Sequence, residues 1–389
     1  MTEVHGHAAP GFERVREAFD AGFDAKPDMG AALAIRHRGE LVVDLWAGVR
    51  DERSRAPWQE STPSVIFSCT KGLVSILAAR LVQEGRLDYQ APVAQYWPEF
   101  AAAGKEAVRV KDLLAHRSGL SAPREPLTIE QVIDWPVVVA QLAAQEPLWQ
   151  PDTGYAYHAI THGWLAGEVV RRVTGLSLGE YFAQLIAEPL HADAWIGIPD
   201  GVHERIAHMQ VGSTLAQLTA QQAAARTPGV TDWSEIAMTL GGALAPELIT
   251  AGGGFNDPRV QAAEIPGAGG ISTARALATI WSATVVETQG VRLLGGEVLD
   301  TAIVVQSEGP PVWDVPGPWP RWGMGFQLDS EARRFLTSAS FGHDGAGGQS
   351  AFADPDAQLG FAYLTNQMEA IDDQRATRVI DALRESLGL

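Results

Sequence analysis

The sequence has a single cysteine, Cys69, which excludes an intramolecular disulfide and a zinc site built from cysteines. Cations are scarce as well: 29 Lys and Arg against 47 Asp and Glu give a net charge of −18. That balance argues against binding to nucleic-acid phosphates and against polybasic attachment to a membrane. No segment approaches the ~18 apolar residues of a membrane span, and the first residues lack the apolar stretch of a signal peptide. We therefore predict a soluble cytoplasmic protein that binds neither nucleic acid nor membrane.

Several catalytic and cofactor motifs are also missing. No G-x-S-x-G segment occurs, which argues against the nucleophile elbow of the α/β-hydrolases. The GAGG runs at 267–270 and 345–348 complete neither G-x-G-x-x-G nor a G-K-[ST] ending, so we interpret both as turns. His158 and His162 are four residues apart but lack the glutamate of H-E-x-x-H, which favours surface or core histidines over a metal pair. The sequence implies no metal and no organic cofactor.

What remains is the composition of a globular protein, with 46% hydrophobic and 20% charged residues in 389. At about 150 residues per domain, this length allows two or three domains. Apolar–polar patterning and turn residues predict two strands within 30–48, joined at Arg38-Gly39, and further strands at 322–328, 334–341, 349–354 and 359–365. Apolar residues at helical spacing predict helices at 11–25, 68–83, 110–116, 129–145, 159–174, 178–188, 274–288 and 373–387.

This order places strands near both ends of the chain and helices between them. It predicts an α+β fold in which residues 1–84 and 251–389 form one discontinuous domain with a sheet. Residues 85–250 form a second, mainly helical domain. The sheet is expected to be antiparallel, because short turns rather than helical crossovers connect its strands.

The segment Ser68-Cys69-Thr70-Lys71 is the sharpest chemical signal. Residues three apart lie on one face of a helix, so the Ser68 hydroxyl and the Lys71 amine are expected to be neighbours. A serine hydroxyl needs a base to become a nucleophile, and a lysine serves when its pKa is lowered. Arginine cannot take that role, and only four of the 29 cations are lysines. The S-x-x-K pattern also occurs by chance, with serine as an ordinary helix cap.

Three other segments strengthen the signal: VKDLLAHRSGL at 110–120, PDTGYAYHAITHGW at 151–164 and FGHDGAGGQSAF at 341–352. Together with S-x-x-K, these motifs resemble those of the serine β-lactamase and penicillin-binding-protein superfamily. The resemblance runs from about residue 30 to 387 and is strongest to the class C-like esterase branch, the family VIII carboxylesterases. It implies the β-lactamase/transpeptidase-like fold, an antiparallel sheet flanked by N- and C-terminal helices beside a mostly helical domain.

The resemblance also implies roles for individual residues. Ser68 matches the nucleophile, Lys71 its base, and Tyr157 the second base and proton shuttle. The N–H groups of Ser68 and Ala346 match the oxyanion hole, and His343-Asp344-Gly345 matches the K-T-G or H-x-G strand motif. His343 and Gly345 are therefore expected to contact substrate, whereas we interpret His116 as a structural turn residue.

Two departures from the superfamily pattern favour esters over β-lactams. Ala159 replaces the asparagine that holds an amide side chain, and His343 replaces the lysine that holds a carboxylate. We therefore predict a serine carboxylesterase that acts through an acyl-enzyme on a small-molecule ester. β-Lactamase or DD-peptidase activity, acyl transfer and a non-catalytic binding module remain alternatives.

The Pro- and Trp-rich segment 307–322 contains three tryptophans. Ligand pockets favour aromatic linings, so we predict that Trp313 and Trp319 wall an apolar pocket for the acyl chain. The alternative is that they seal the edge of the sheet. The sequence indicates no particular oligomeric state.

Overall fold

The computed structural model describes residues 2–24, 26–370 and 373–389. Strands in these residues are β1 (Val4–Ala8), β2 (Gly30–His37), β3 (Glu40–Asp51), β4 (Ala56–Pro57), β5 (Ser64–Val65), β6 (Ala194–Ile196), β7 (Gln210–Val211), β8 (Gly270–Ser272), β9 (Arg321–Trp322), β10 (Gln327–Leu328), β11 (Phe341–Gly345), β12 (Gln349–Asp354), β13 (Leu359–Thr365) and β14 (Gln367–Met368). Helices are α1 (Glu13–Ala21), α2 (Cys69–Gln83), α3 (Val110–Leu114), α4 (Ile129–Val132), α5 (Trp135–Ala144), α6 (Thr161–Thr174), α7 (Leu178–Phe182), α8 (Ser213–Ala225), α9 (Trp233–Thr239), α10 (Pro258–Ala262), α11 (Ala274–Val285), α12 (Gly296–Ala302) and α13 (Arg375–Leu387).

The main sheet is antiparallel and has the strand order β1-β3-β2-β13-β12-β11-β10-β9, with β4 paired to β3. The hairpin of β2 and β3 turns at Arg38-Gly39, as the sequence predicts, and both turn residues have a positive φ. Strand β13 joins the C-terminal meander to β2, so the two ends of the chain share one sheet.

Side chains alternate between the two faces of this sheet, because successive residues of a strand point in opposite directions. Ala31, Leu33 and Ile35 pack with apolar residues of α1 and α13. Ala32 and Ala34 face the larger core on the other side, which includes residues of α2 and α11. The result is an antiparallel sheet covered by helices on both faces, which agrees with the predicted α+β fold.

Two predicted strands are wrong. Residues 334–340 form a loop, and the strand begins at Phe341. Side-chain hydrogen bonds hold this loop in place. Asp329 Oδ1 accepts from Phe335 N–H at 2.8 Å, and the Asp354 carboxylate accepts from the Thr337 and Ser340 hydroxyls. The predicted strand 322–328 is instead the short hairpin of β9 and β10, which turns through Gly323–Gly325.

The region 85–250 carries α3 to α9 and two short strands that leave it to pair elsewhere. Strand β6 pairs with β8, and β7 pairs with β14. Helix α6 packs on α2 within the same hydrophobic core. We retain the domain boundaries at 84/85 and 250/251 as a proposal. None of the helices formed by the described residues combines the length and the hydrophobicity that a membrane crossing requires.

Candidate active site

Ser68 lies on a tight turn between β5 and α2. The preceding residue, Phe67, has a φ of 43°, a left-handed conformation that is unusual for a large side chain. Its ring is fully buried against Phe255, with 5.5 Å between ring centroids. The Phe67 carbonyl accepts hydrogen bonds from both the N–H and the hydroxyl of Thr70. Packing and hydrogen bonds therefore hold a strained turn directly before Ser68.

The Ser68 hydroxyl does not act as a helix cap. Ser68 is the residue before α2, but its side chain makes no capping hydrogen bond. Instead, Ser68 Oγ lies 3.0 Å from Lys71 Nζ and 2.9 Å from the Tyr157 hydroxyl. The structure thus brings together the three residues that the sequence singled out, and it does not support the ordinary-cap interpretation.

The Lys71 amine is completely buried. In addition to its contact with Ser68 Oγ, the amine has two backbone carbonyls as acceptors: it donates to Ala159 O at 2.5 Å and to Gly267 O at 2.6 Å. Burial lowers the pKa of Lys71 well below its ordinary value, because the ammonium form is desolvated. A neutral amine has two hydrogens and one lone pair. With the two carbonyls accepting both hydrogens, the lone pair is directed at Ser68.

Tyr157 precedes α6, and its ring is stacked on Trp322 at 5.2 Å between centroids and an interplanar angle of 14°. Burial raises the pKa of Tyr157, so the phenol is protonated at neutral pH and donates to Ser68 Oγ. The two neighbours of the serine therefore differ in kind: Lys71 is suited to accept a proton and Tyr157 to give one.

Four buried histidines surround this group and are uncharged at neutral pH. Burial lowers the pKa of His343 to about 3 and that of His158 to about 4. It also lowers the pKa values of His116 and His162 well below the ordinary value. The His116 ring lies edge-on to Tyr157 at 5.0 Å, and its Nδ1 accepts from the His158 N–H. His158 and His162 are thus core residues, and within the described parts of the chain no cluster of His, Cys, Asp or Glu has the geometry of a metal site.

The C-terminal end of β11 runs beside the turn that carries Ser68. A Cβ atom on Gly345 would lie 2.3 Å from Ile66 O, so only glycine allows this approach. The Cys69 thiol, whose pKa burial raises, lies 3.0 Å from His343 O and links the start of α2 to the same strand. The turn after β11 begins with Ala346. In the described residues, neither the Ser68 N–H nor the Ala346 N–H donates to another backbone group, as an oxyanion hole requires.

The remaining residues predicted to contact substrate are His343, Trp313 and Trp319. His343 is 2% exposed, and its Nδ1 donates to Asp344 O at 2.6 Å, which leaves Nε2 without a partner among the described residues. Trp313 packs edge-on against Trp149 at 5.4 Å, and Trp319 donates to Val315 O within its own loop. The His343 ring also lies beside Tyr157, with 6.1 Å between the ring centroids. Within the described residues, neither Trp313 nor Trp319 forms a hydrogen bond or ring contact with Ser68, Lys71 or Tyr157.

Sequence reasoning missed three contributors to the site. Trp322 is the tryptophan of segment 307–322 that stacks on Tyr157, and its position at the first strand after the loop was the available signal. The Ala159 and Gly267 carbonyls have no side-chain signature, because every residue carries a carbonyl. Gly267 belongs to a GAGG run that we interpreted only as a turn.

Comparisons with known proteins confirm the predicted β-lactamase/transpeptidase-like fold. The sequence profile of the family described as Beta-lactamase matches residues 19–384. The esterase/beta-lactamase LipL of Mycobacterium tuberculosis (strain H37Rv) is 32% identical over 373 residues, which cover 94% of this chain and 83% of that protein. The crystal structure of a family VIII carboxylesterase superposes with a TM-score of 0.85 at 35% identity, covering 99% of this chain and 100% of the other. A penicillin-binding protein homolog from Caulobacter crescentus gives a TM-score of 0.87 at 34% identity with the same coverage.

The chain therefore belongs to the beta-lactamase family.

Proposed function

We propose that this protein is a serine carboxylesterase that hydrolyses small carboxylic esters through an acyl group on Ser68. The observation that carries the proposal is the position of Ser68 Oγ between the buried Lys71 amine and the Tyr157 hydroxyl, at 3.0 and 2.9 Å. The esterase names of the LipL relative and of the family VIII structure support it.

In the first half of the reaction, neutral Lys71 takes the Ser68 proton while Oγ bonds to the ester carbonyl carbon. The carbonyl electron pair moves to its oxygen, which accepts from the Ser68 and Ala346 N–H groups. In other hydrolases one such donor is worth about 2.7–4 kcal/mol. The C–O bond to the alcohol then breaks, Tyr157 protonates the departing alkoxide, and the proton held by Lys71 replaces the one lost from Tyr157.

In the second half, water attacks the acyl-Ser68 carbonyl and gives a proton to Lys71 as its oxygen bonds to carbon. Collapse of this intermediate breaks the bond to Ser68 Oγ, which regains a proton. The carboxylic acid leaves, and the enzyme returns to its starting state. The net reaction consumes one ester and one water and releases one acid and one alcohol.

Esters are favoured over carboxylate-bearing amides because the described residues of the site include no free cation. The Lys71 amine already has three partners, and Arg333 Nε lies 2.8 Å from the Asp344 carboxylate. His343, at the position of the family lysine, is neutral because burial lowers its pKa to about 3. A neutral ester carries no carboxylate and therefore needs no cation to hold one.

An acyl-chain series of p-nitrophenyl esters, assayed beside nitrocefin on one preparation, tests the substrate class. We expect kcat/KM for the best ester to exceed that for nitrocefin by at least about 100-fold, because a missing partner for a buried charge costs about 3 kcal/mol. Nitrocefin turnover equal to ester turnover would contradict the proposal.

We also propose that loop 307–322 walls the substrate pocket on the Tyr157 side. Two hydrogen bonds tie the loop to Tyr155, from Val312 N–H to Tyr155 O at 2.8 Å and from the Tyr155 hydroxyl to Gly309 O at 2.6 Å. The loop thus lies next to the segment that carries Tyr157, and Trp313 and Trp319 supply its aromatic surface.

Trp313→Ala is expected to change the acyl-chain preference. Since one methylene in an apolar pocket is worth about 10-fold or more in discrimination, the hexanoate-to-acetate ratio of kcat/KM should shift by about that factor. Trp46→Ala is the control. Trp46 lies in β3, is partly exposed and stacks on His5 of β1. A lower melting temperature with an unchanged ratio would show that Trp313 only stabilises the sheet edge.

A further inference from the structure

Helix α6 and the segment Pro266–Gly267 touch backbone to backbone. A Cβ atom on Gly163 would lie 1.9 Å from Gly267 N and 2.2 Å from Pro266 C. A Cβ atom on Gly267 would lie 2.1 Å from Ile160 O. Real Cβ atoms do not approach backbone atoms this closely, so the contact forms only because both residues are glycines.

The contact lies between the two carbonyls that hold the Lys71 amine. Ala159 O comes from the residue before Ile160, on the α6 side, and Gly267 O comes from the opposite side. The separation of the two acceptors therefore depends on how closely the backbones approach. An added methyl group would force the segments apart by about 1 Å or more and withdraw Gly267 O from Nζ.

A second buried lysine of this chain, Lys105, also donates hydrogen bonds to two backbone carbonyls. Lys105 is also fully buried and donates to Ala102 O at 2.6 Å and Gln145 O at 2.5 Å. What distinguishes Lys71 is its third partner, the Ser68 hydroxyl at 3.0 Å. For Lys71, the positions of the two carbonyls determine the direction in which the lone pair of the amine points.

We propose that Gly163 and Gly267 are positioning residues for the base: their contact fixes the Ala159 and Gly267 carbonyls so that the Lys71 lone pair points at the Ser68 hydroxyl. This inference rests on the proposed function of Ser68 and Lys71. It assigns a purpose to the GAGG run at 267–270, which supplies a backbone acceptor at a position where no side chain fits.

Gly267→Ala and Gly163→Ala approach the same contact from its two sides. We expect each to lower kcat by about 100-fold, the usual cost of a 1 Å misplacement at a reacting group, with KM changed less than about threefold because no substrate contact is lost. The matched control is Gly296→Ala, which adds a methyl group in open space. Gly295 N–H bonds Gln83 at the far end of α2, so this control lies about 20 Å from Ser68.

The pH profile separates positioning from general damage. The groups facing Lys71 are the four histidines, Cys69 and Tyr157, all neutral near pH 7, and the Asp344 carboxyl lies beyond them beside Arg333. The acid limb of kcat/KM thus reports Lys71. Losing the Gly267 acceptor removes a hydrogen bond from the ammonium, so the limb should move to lower pH in both variants.

Titration with a serine-reactive phosphonate counts the reactive sites, so that kcat is calculated per functional enzyme. An activity loss that disappears after this correction, or an acid limb unchanged from wild type, would overturn the inference. The rate of phosphonate reaction is measured in parallel and needs no ester. If the wild-type protein reacts with the phosphonate but hydrolyses no ester, the proposed substrate class is wrong. The positioning role is then still tested by comparing the rate of phosphonate reaction between the wild type and the two glycine variants.

Discussion

Ser68→Ala protein hydrolyses no ester above background and forms no covalent adduct with a serine-reactive phosphonate. This is the largest effect we expect from any single substitution. Among the described residues, Ser68 Oγ is the only atom that both Lys71 and Tyr157 contact at hydrogen-bond distance. Removing the nucleophile of other serine hydrolases costs on the order of 10⁶-fold in kcat. The fold should tolerate the change, because the Ser68 side chain does not cap α2.

Intact-mass measurement after labelling checks this result, with Ser282→Ala as the control. Ser282 is also buried, but it lies in α11, and its hydroxyl pairs with that of Thr288 in the segment after this helix. The control should gain the mass of one phosphonyl group, as the wild type does. An adduct of equal yield on the Ser68→Ala protein would remove Ser68 from the mechanism.

Lys71→Arg is expected to lower kcat/KM by about 10²–10⁴-fold, the range for a lost general base. The substitution keeps the positive charge, so it tests the transfer of a proton rather than electrostatic attraction. A guanidinium is not deprotonated in proteins, whereas burial lowers the pKa of Lys71 toward the range in which it can act as a base.

Lys105→Arg provides a close control for this experiment. Lys105 shares with Lys71 complete burial and two carbonyl acceptors, and burial lowers its pKa too, but no serine lies beside its amine. Both substitutions place a larger cation in a buried site and should lower the melting temperature by similar amounts. Only Lys71→Arg should lose activity at temperatures where both proteins are folded. Equal losses in kcat/KM would point to damage of the fold instead.

The parts of the site that the sequence predicts are those in which a role requires one type of side chain at one spacing. Ser68 and Lys71 are three residues apart on a helix, and Tyr157 is placed by the motif that begins at Pro151. Helices α1, α2, α6, α11 and α13 follow from apolar periodicity, and the β2–β3 hairpin follows from the Arg38-Gly39 turn. In these cases local chemistry and the folded structure demand the same residues.

The other parts depend on contacts between distant segments, which leave little trace in a single sequence. The Ala159 and Gly267 carbonyls are supplied by backbone, and nothing in GAGG distinguishes an acceptor from a simple turn. The strand predicted at 334–341 is wrong because Asp329 and Asp354 satisfy that segment through side chains. Trp322 lies against Tyr157 only once β9 pairs with β10.

The pairing of β2 with β13 has a consequence for how the protein is made. Gly30 N–H donates to the side chain of Asn366, 336 residues later, so β2 has no neighbour on that side until β13 has left the ribosome. At about 5–20 residues per second, this wait lasts ~15–70 s. Ala346 is translated 278 residues after Ser68. The nascent polypeptide thus carries the proposed nucleophile long before the proposed oxyanion hole is complete, and during that time its apolar strand β2 lacks the β13 partner and is exposed to chaperones.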